Sequence, residues 1–390
     1  MFLHHTTMKR LLVAGSAAAL TVGAGFFAAG PATAATPDHH ASPVGAVFVQ
    51  NNGAGGNSVT AYSRWSDGAL TRAGTYWTGG RGGSETGAVV DPLASQGSLT
   101  YDPANQTLFA VNAGSNTFSV FSVRGDTLRL REVLPSRGKF PTSVAVSHDL
   151  VYVLNAGGQG SVSGFRDNNG FVVPLEHSTR TLSLGNADVP AFLQAPAQVA
   201  ISPDNTHLVV ATKSHNTLDV FGLNHRGEPS ATPVVNPSVG AVPFALTFDS
   251  GRLQVANASG SASSYRVNWN GTLALVSGPV ANGQAATCWS TLARGYLFAA
   301  NAGSSTITGY RIGAGGVLSL LQPSGISATT HGGPVDLAST PGGRYIYQLA
   351  TGAGAIDEFA VAWNGTLTNI GAVTGLPANN GSGMEGIAVS

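Results

Sequence analysis

The chain has 390 residues, of which 43% are hydrophobic and only 10% are charged. Its 19 Lys and Arg residues balance its 19 Asp and Glu residues, a composition that excludes the strongly basic surface needed to attract nucleic acid or anionic lipid. A single cysteine, Cys288, excludes an intrachain disulfide. The 52 glycines indicate a chain that turns often.

The first 34 residues have the pattern of a secretory signal peptide. Lys9 and Arg10 precede an apolar segment, Leu11 to Ala29, and Ala32-Thr33-Ala34 is a small-residue cleavage site. A membrane anchor is the alternative for this segment. We expect residues 35–44 to be a disordered lead-in, and no other segment reaches the roughly 18 apolar residues that span a bilayer. The pattern therefore predicts a secreted protein, extracellular or periplasmic, without a membrane span.

A strand-turn-strand pattern recurs seven times in the rest of the chain. Its clearest copies are Leu108–Phe121 and Leu297–Tyr310, each with Asn-Ala-Gly in the turn and an aromatic residue at the end. Repeats of this length with several strands each are typical of β-propellers, so we predict one domain over residues 45–390. The closing aromatic residues lie 44 to 59 positions apart and are Tyr62, Phe121, Phe165, Phe221, Tyr265, Tyr310 and Phe359.

Each repeat can be divided into four strands, as the fifth shows. Phe244–Phe248, Leu253–Ala256, Ser263–Val267 and Thr272–Leu275 are short apolar or alternating segments. Asn270-Gly271 is a strong signal for a two-residue hairpin, because both turn positions need a positive φ. The predicted fold is therefore all-β, a seven-bladed β-propeller of four-stranded antiparallel blades.

Three further features belong to this prediction. The first repeat lacks an inner strand, and Met384–Val389 at the C-terminus supplies one, which would close the ring and remove an exposed sheet edge. Insertions at Trp77–Gly97 and Pro174–Pro196 lengthen two repeats. Tryptophans precede the same turn in three repeats, and we interpret them as packing between blades, with a binding platform as the alternative: Trp65, Trp269 and Trp363.

The candidate site lies on the face that carries both insertions and the Asn-containing turns, where the inner strands begin. Asp336 and Glu385 begin adjacent inner strands and His331 precedes one of them, so these three residues are candidates for general acid–base catalysis. The alternative is that both carboxylates cap strand ends by accepting hydrogen bonds from backbone amides. The candidate substrate-binding residues are Lys139, Arg137, Gln198, Ser143, Cys288, Asn112, Asn155, Asn257 and Asn301.

Lys139 and Arg137 are the candidates for holding a substrate carboxylate.

Metal and thiol chemistry have less support in the sequence. The histidines share no metal-ligand spacing, so we expect neither a metal nor an organic cofactor. Cys288 lies in an apolar inner strand without a neighbouring base, which favours a buried thiol over a nucleophile.

The repeats resemble the lactonase family of seven-bladed propellers, which includes 6-phosphogluconolactonases and carboxymuconate-cyclase-like enzymes. Ala200–Asn205 followed by Leu208–Ala211, and the hairpins Asp67–Leu70 and Asn270–Leu273, carry the resemblance, which covers residues 45–390. It implies a hydrolase or lyase that opens or forms a lactone ring at the mouth of the central channel, without a metal.

The sequence departs from that family at its active-site motifs. Active members begin an inner strand with Gly-Pro-Arg-His, where this chain has Phe140-Pro141-Thr142-Ser143, and they place Glu after the turn Asn, where this chain has Ala. Whether the protein is an enzyme is therefore open. The alternative is a non-catalytic extracellular scaffold for a glycan, cell-wall or protein ligand, and in either case we expect a monomer that binds a small molecule or glycan and no nucleic acid.

Overall fold

The computed structural model describes residues 42–378 and 383–390. These residues form thirty β-strands and five 3₁₀ helices, and the strands make seven antiparallel sheets. This arrangement confirms the predicted seven-bladed, all-β propeller. The expected signal peptide, residues 1–34, lies outside the described residues, and so do residues 35–41 of the expected lead-in. None of the described residues forms a helix long and apolar enough to cross a membrane.

The first four blades contain the following strands, numbered in chain order: β1 (Gly45–Gln50), β2 (Ser58–Arg64) and β3 (Leu70–Trp77) in blade 1; β4 (Leu99–Asp102), β5 (Thr107–Asn112), β6 (Thr117–Arg124) and β7 (Thr127–Pro135) in blade 2; β8 (Lys139–Ser147), β9 (Leu150–Gly157), β10 (Ser161–Asp167), β11 (Val172–Pro174) and β12 (Arg180–Thr181) in blade 3; β13 (Gln198–Ile201), β14 (His207–Ala211), β15 (Thr217–Gly222) and β16 (Val234–Pro237) in blade 4.

The last three blades, the closing strand and the 3₁₀ helices follow: β17 (Pro243–Asp249), β18 (Arg252–Asn257), β19 (Ser261–Val267) and β20 (Leu273–Ala281) in blade 5; β21 (Thr287–Ala293), β22 (Tyr296–Asn301), β23 (Thr306–Ile312), β24 (Leu318–Leu320) and β25 (Ala328–Thr329) in blade 6; β26 (Pro334–Ser339), β27 (Tyr345–Ala350), β28 (Ala355–Val361) and β29 (Leu367–Thr374) in blade 7; β30 (Ile387–Val389) in blade 1; 3₁₀ helices Ala113–Ser115, Lys213–His215, Ala314–Gly316, Pro341–Gly343 and Thr351–Ala353.

Burial differs between the middle and outer strands of a blade. All six residues of β5 are buried, whereas β3 alternates between exposed and partly buried positions beyond its first residue. Middle strands are covered on both faces by the neighbouring blades, so they have continuous apolar sequences. Outer strands have one solvent-exposed face, so polar and apolar residues alternate along them.

The C-terminal strand closes the ring as predicted. β30 pairs antiparallel with β1, and Val49 lies opposite Ile387. The Ser390 hydroxyl oxygen accepts a hydrogen bond of 2.8 Å from the Ala46 amide, and the Arg64 guanidinium donates one of 3.0 Å to the Ser390 carbonyl. Pairing also begins before β1, because the Val44 amide donates to the Arg64 carbonyl at 2.8 Å.

The two faces of the propeller carry different loops. The inner strands begin on one face, where the second and third strands of each blade are also joined, and we call this the front face. The opposite face is the rear face. Four inner strands have a register shift near the front, which the sequence did not predict; the displaced positions are Thr142 in β8, Phe244 in β17, Cys288 in β21, and Val335 with Asp336 in β26. Such bulges re-aim side chains at a barrel or channel rim.

The predicted packing role of the hairpin tryptophans is wrong for Trp269, whereas Trp363 does contact the neighbouring blade, with the Arg294 guanidinium 3.8 Å from its ring centre. Trp269 and Trp363 are 91% and 82% exposed on the rear face. The glycine of each hairpin packs against the preceding blade instead, since a Cβ on Gly271 would lie 3.0 Å from the Val234 side chain. The Trp65 indole is partly buried and donates to the Thr71 hydroxyl at 3.0 Å.

Candidate functional site

The first insertion lies across the front opening of the central channel. The Trp289 indole of blade 6 donates a hydrogen bond of 2.7 Å to the Ser95 carbonyl, and the Ser95 hydroxyl donates one of 2.8 Å to the Thr142 carbonyl of blade 3. The Thr351 hydroxyl of blade 7 donates to the Val90 carbonyl at 2.6 Å. We call residues 85–97 the plug. The front mouth expected from the sequence is therefore filled by the chain itself.

Two buried carboxyl groups anchor the plug. Asp91 accepts hydrogen bonds from the Leu93, Ala94 and Ser95 amides at 2.9, 2.9 and 3.2 Å. Glu385, at the start of the closing segment, accepts one from the Leu93 amide at 3.3 Å and hydrogen bonds to Asp91. Burial raises the pKa of both groups, and the Asp91 charge raises that of Glu385 further. Three backbone amides donate to Asp91 and one donates to Glu385, so the surroundings of Asp91 favour its ionised form more strongly than those of Glu385 do.

A buried ion pair joins the plug to blade 4. The Lys213 ammonium lies 3.2 Å from Glu85 Oε2, and the two side chains are 1% and 0% exposed. The same ammonium donates to the Ala94 carbonyl at 2.9 Å. Burial raises the pKa of Glu85 well above its ordinary value, and Lys213 opposes that shift. The pair therefore fixes both ends of the Glu85–Ala94 segment to one cation.

A small apolar cavity of about 280 Å³ remains on the front face, between the plug and blades 5 and 6. Burial, with a smaller contribution from the Asp91 charge, raises the pKa of the Cys288 thiol to about 12. A thiol with that pKa is a poor nucleophile at neutral pH. The cavity is lined by Val89, Val90, Asp91, Ala94, Phe192, Phe244, Ala286, Cys288, Trp289, Ala302 and Gly303.

The central channel is a polar cavity of about 430 Å³, and it opens on the rear face. Its closed end is formed by Gln96 and Gly97 of the plug. Polar side chains on its wall bridge adjacent blades: the Thr100 hydroxyl donates to the Val144 carbonyl at 2.8 Å, and Thr247 and Ser290 share a hydrogen bond of 2.9 Å. Among the described residues that line the channel there is no Lys or Arg.

Asp336 supplies the carboxyl group of the channel lining. It lies in the bulge of β26, accepts a hydrogen bond of 2.9 Å from the Leu337 amide and is also bonded to the Ile387 and Gly97 amides. Burial is the main cause that raises its pKa to about 8; the Asp91 charge adds to the shift and the backbone amides oppose it. This carboxyl group can therefore gain or lose a proton near neutral pH.

The structure brings together only part of the expected catalytic set. Asp336 and Glu385 are close enough for the Asp336 charge to raise the pKa of Glu385. His331 instead donates its backbone amide to Asp357 Oδ2 at 2.9 Å and places its ring Nδ1 2.5 Å from Asp357 Oδ1. Both carboxylates also accept backbone hydrogen bonds, which is the capping arrangement given above as the alternative to catalysis.

The two expected substrate-binding cations lie outside the channel lining. The Lys139 ammonium is 2.5 Å from Asp188 Oδ2, and Arg137 Nη1 is 3.6 Å from Glu176 Oε1. Both pairs link the start of blade 3 to the second insertion and are solvent exposed. A role in holding a substrate carboxylate stays a prediction.

The four turn asparagines are fully buried within their blades. Asn112 donates to the Ser119 hydroxyl at 2.8 Å, and Asn301 accepts from the Thr287 hydroxyl at 2.6 Å. Asn155 donates to the Ser136 carbonyl at 3.2 Å, and Asn257 donates to the Ser263 hydroxyl at 3.2 Å. These bonds tie second strands to third strands and to neighbouring loops, while substrate contact by these residues stays a prediction.

Of the remaining expected binding residues, one reaches the channel. Gln198 lines it and makes two hydrogen bonds with Leu246 of the next blade, at 3.2 and 2.6 Å. Ser143 is fully buried and accepts from the Val199 amide at 3.3 Å. Cys288 lines the apolar front cavity.

Asp91 is a buried carboxyl group beside the candidate residues that the sequence did not predict. It lies inside an insertion, where the propeller repeat gives no register. Its local signal is Asp91-Pro92 followed by the apolar Leu93, a composition typical of an Asp-initiated turn. That signal predicts a turn but not its burial against Glu385.

Comparison with known proteins identifies the fold. No known protein-family profile matches the chain, and no curated protein matches it. Among solved structures, a candidate 6-phosphogluconolactonase from Bacteroides uniformis is similar with 17% identity and a TM-score of 0.67, covering 88% of this chain and 99% of that one. A periplasmic gluconolactonase from Pseudomonas aeruginosa gives 17% identity and a TM-score of 0.67, with 88% and 98% covered.

A third similar structure, a protein from Lactobacillus plantarum, has 17% identity and a TM-score of 0.66 and covers 88% of this chain and 98% of that one. The likeness extends over nearly the whole of each protein, while the identities are low. The resemblance noted in the sequence is thus confirmed for the fold: this chain is a seven-bladed β-propeller with the same fold as these structures.

Proposed function

We propose that this protein is an exported lactonase-like hydrolase that opens an uncharged lactone in its central channel, with Asp336 as the proton-transfer group. One observation carries the proposal: a carboxyl group with a pKa of about 8 lies near the closed end of a polar channel of about 430 Å³. A carboxyl group shifted toward neutrality inside a cavity is typical of a general base or acid.

The proposed step consumes one water. The Asp336 carboxylate accepts a proton from the water, whose oxygen bonds to the lactone carbonyl carbon. The ring C–O bond then breaks, and Asp336 returns the proton to the departing ring oxygen, which leaves a hydroxy acid. The Thr247 and Ser290 hydroxyls share one hydrogen bond on the channel wall, and the hydroxyl that accepts it keeps its own proton to donate to the developing oxyanion.

The channel favours a substrate without phosphate or carboxylate groups. Such groups need clustered Arg or Lys for binding, and the described channel lining contains neither. This proposed specificity differs from the phosphosugar chemistry suggested by the name of the Bacteroides structure. Export is supported by the signal-peptide pattern of residues 1–34 and by the periplasmic description of the Pseudomonas structure.

A second candidate function is binding of a small ligand without turnover. The observation that supports it is that polar groups on the channel wall already form hydrogen bonds with one another. The Gln198 side-chain amide, for example, donates to the Leu246 carbonyl and accepts from the Leu246 backbone amide. A wall of this kind holds an uncharged ligand by shape and van der Waals contact but offers few free donors for an oxyanion.

Turnover of a panel of uncharged γ- and δ-lactones separates these functions. We expect hydrolysis by the purified protein, loss of at least a hundredfold in kcat/KM in Asp336→Asn, and little change in Glu385→Gln, a buried carboxyl outside the channel lining. Loss only in Glu385→Gln would move the chemistry to the buried pair of Glu385 and Asp91. Saturable binding of lactones without hydrolysis would establish the binding function and contradict the enzyme.

A further inference from the structure

Two hairpins on the rear face have the same five-residue sequence. Trp269–Leu273 in blade 5 and Trp363–Leu367 in blade 7 both read Trp-Asn-Gly-Thr-Leu. Each follows the third strand of its blade and reaches toward the preceding blade, where Gly271 and Gly365 pack against side chains of blades 4 and 6. The two sites therefore form an internal comparison within one chain.

In blade 7 a cation from the chain itself stacks on one face of the tryptophan ring, which is otherwise exposed. The Arg294 guanidinium lies 3.8 Å from the centre of the Trp363 ring. Arg294 belongs to the turn between the first two strands of blade 6, and Tyr296 of the same blade donates to the Trp363 carbonyl at 3.1 Å. A guanidinium stacked on an indole face at this distance is a favourable cation–π contact.

In blade 5 the corresponding ring face has no such cover. The equivalent turn of blade 4 is Ser202–Thr206, which carries no arginine, and among the described residues no cation lies over the Trp269 ring. A cavity of about 500 Å³ lies between this turn and the hairpin. Its lining includes the 91% exposed Trp269 from the hairpin of blade 5, and Asp204 and Thr206 from the turn of blade 4.

Asp204 gives this cavity a negative charge. Partial burial would raise its pKa, but hydrogen bonds from Ser202 and Thr206 outweigh that effect and lower the pKa below its ordinary value. The bonds all reach Oδ1, from the Ser202 hydroxyl at 2.6 Å and from the Thr206 amide and hydroxyl at 3.2 and 2.8 Å. The carboxylate is thus ionised and fixed in place at neutral pH.

We propose that the cavity between blades 4 and 5 binds a small organic cation, a guanidinium or an alkylated ammonium compound, which stacks on Trp269 and faces Asp204. The ligand takes the place that Arg294 occupies in the matching site between blades 6 and 7. An open indole face beside a fixed carboxylate is the arrangement that recognises such cations in proteins. The cavity lining contains no Lys or Arg among the described residues; its one basic side chain, His207, is buried and has its Nδ1 2.8 Å from the Thr206 hydroxyl.

Titration with choline and with methylguanidinium, followed by calorimetry and tryptophan fluorescence, tests the site. The uncharged isostere of choline, 3,3-dimethylbutan-1-ol, reports how much of the affinity depends on charge. We expect the cations to bind at least tenfold more tightly than the isostere. Equal binding of cation and isostere, or no binding of either cation, would overturn the proposal.

Variants locate the binding. Trp269→Ala should weaken cation binding about tenfold, and Asp204→Asn should weaken it similarly while keeping the Oδ1 acceptor that holds the turn. Trp363→Ala is the matched control, because Arg294 already occupies the ring face that corresponds to the proposed site, and it should leave affinity unchanged. Equal loss in Trp269→Ala and Trp363→Ala would contradict the assignment, as would preferential binding of uncharged oligosaccharides that depends on Trp269.

Discussion

Lys213 and Glu85 form a buried ion pair, 3.2 Å from nitrogen to oxygen, between a loop of blade 4 and the insertion that plugs the front of the channel. Removing one partner leaves the other charge buried. We expect Lys213→Met to lower the free energy of unfolding by about 3–5 kcal/mol. Chemical denaturation followed by far-ultraviolet circular dichroism measures the change.

Two comparisons make this prediction specific. The double variant Lys213→Met with Glu85→Gln should recover much of the loss, since no buried charge remains unpaired. Lys139→Met breaks the exposed pair with Asp188 and should cost at most about 1 kcal/mol. Similar losses for Lys213→Met and Lys139→Met would contradict the burial of the plug.

The pH dependence of stability reports on the buried carboxyl groups. The pKa of Asp336 rises from an ordinary value of 3.8 to about 8 in the folded protein. Between these two pH values the folded protein retains a proton that the unfolded chain has released. The contribution of Asp336 to the free energy of unfolding is therefore fully present below about pH 4 and is lost as the pH rises through 8. One group contributes a slope of at most about 1.4 kcal/mol per pH unit.

Asp336→Asn removes that contribution. Its unfolding free energy should decline less steeply than that of the wild type between pH 5 and 8, while Glu385 and Asp91, whose pKa values are also raised, keep part of the slope. Urea denaturation at several pH values gives both slopes. A wild-type protein that grows more stable across this range would show that these carboxyl groups are ionised and paired.

Deletion of residues 384–390 should open the ring. The deletion removes the β30 pairing with β1 and the buried Met384 and Ile387 side chains, which are 0% and 4% exposed. Loss of those two side chains alone is worth about 3–6 kcal/mol, and the freed β1 edge invites association between molecules. Thermal unfolding and size-exclusion chromatography test this, and an unchanged melting transition would contradict ring closure.

Substitutions on the two faces distinguish the routes into the protein. Ala338 lines the channel that opens at the rear, and Ala302 lines the front cavity. We expect Ala338→Phe to reduce kcat/KM on a lactone at least tenfold by narrowing the channel, and Ala302→Phe to leave it unchanged. The opposite pattern, in proteins with equal melting temperatures, would place the substrate at the front.

The blade architecture was predictable because it repeats. The closing aromatics Phe121 and Tyr310, the Asn270-Gly271 hairpin and the C-terminal segment Met384–Val389 each carry a local signal, and seven copies reinforce it. The blade count and the ring closure follow from these signals without knowledge of the side-chain packing.

The site was less predictable because it is built by the part of the chain that does not repeat. Asp336 and Glu385 were predicted as candidates from the register of the inner strands, but the plug that packs against them comes from an insertion. The hydrogen bond between Asp91 and Glu385 joins positions far apart in the sequence, with no pattern linking them. The exposure of Trp269 was missed for a related reason, since Gly271 rather than the indole packs against blade 4.

The pH–rate profile of lactone hydrolysis tests the central claim, that Asp336 transfers the proton in the channel, most directly. Because the carboxylate is the active form and its pKa is about 8, kcat/KM should rise with pH and level off above about 8. Asp336→Asn should lose both the activity and this rise, with its fold intact by circular dichroism. Hydrolysis with the same pH profile in Asp336→Asn would contradict the claim.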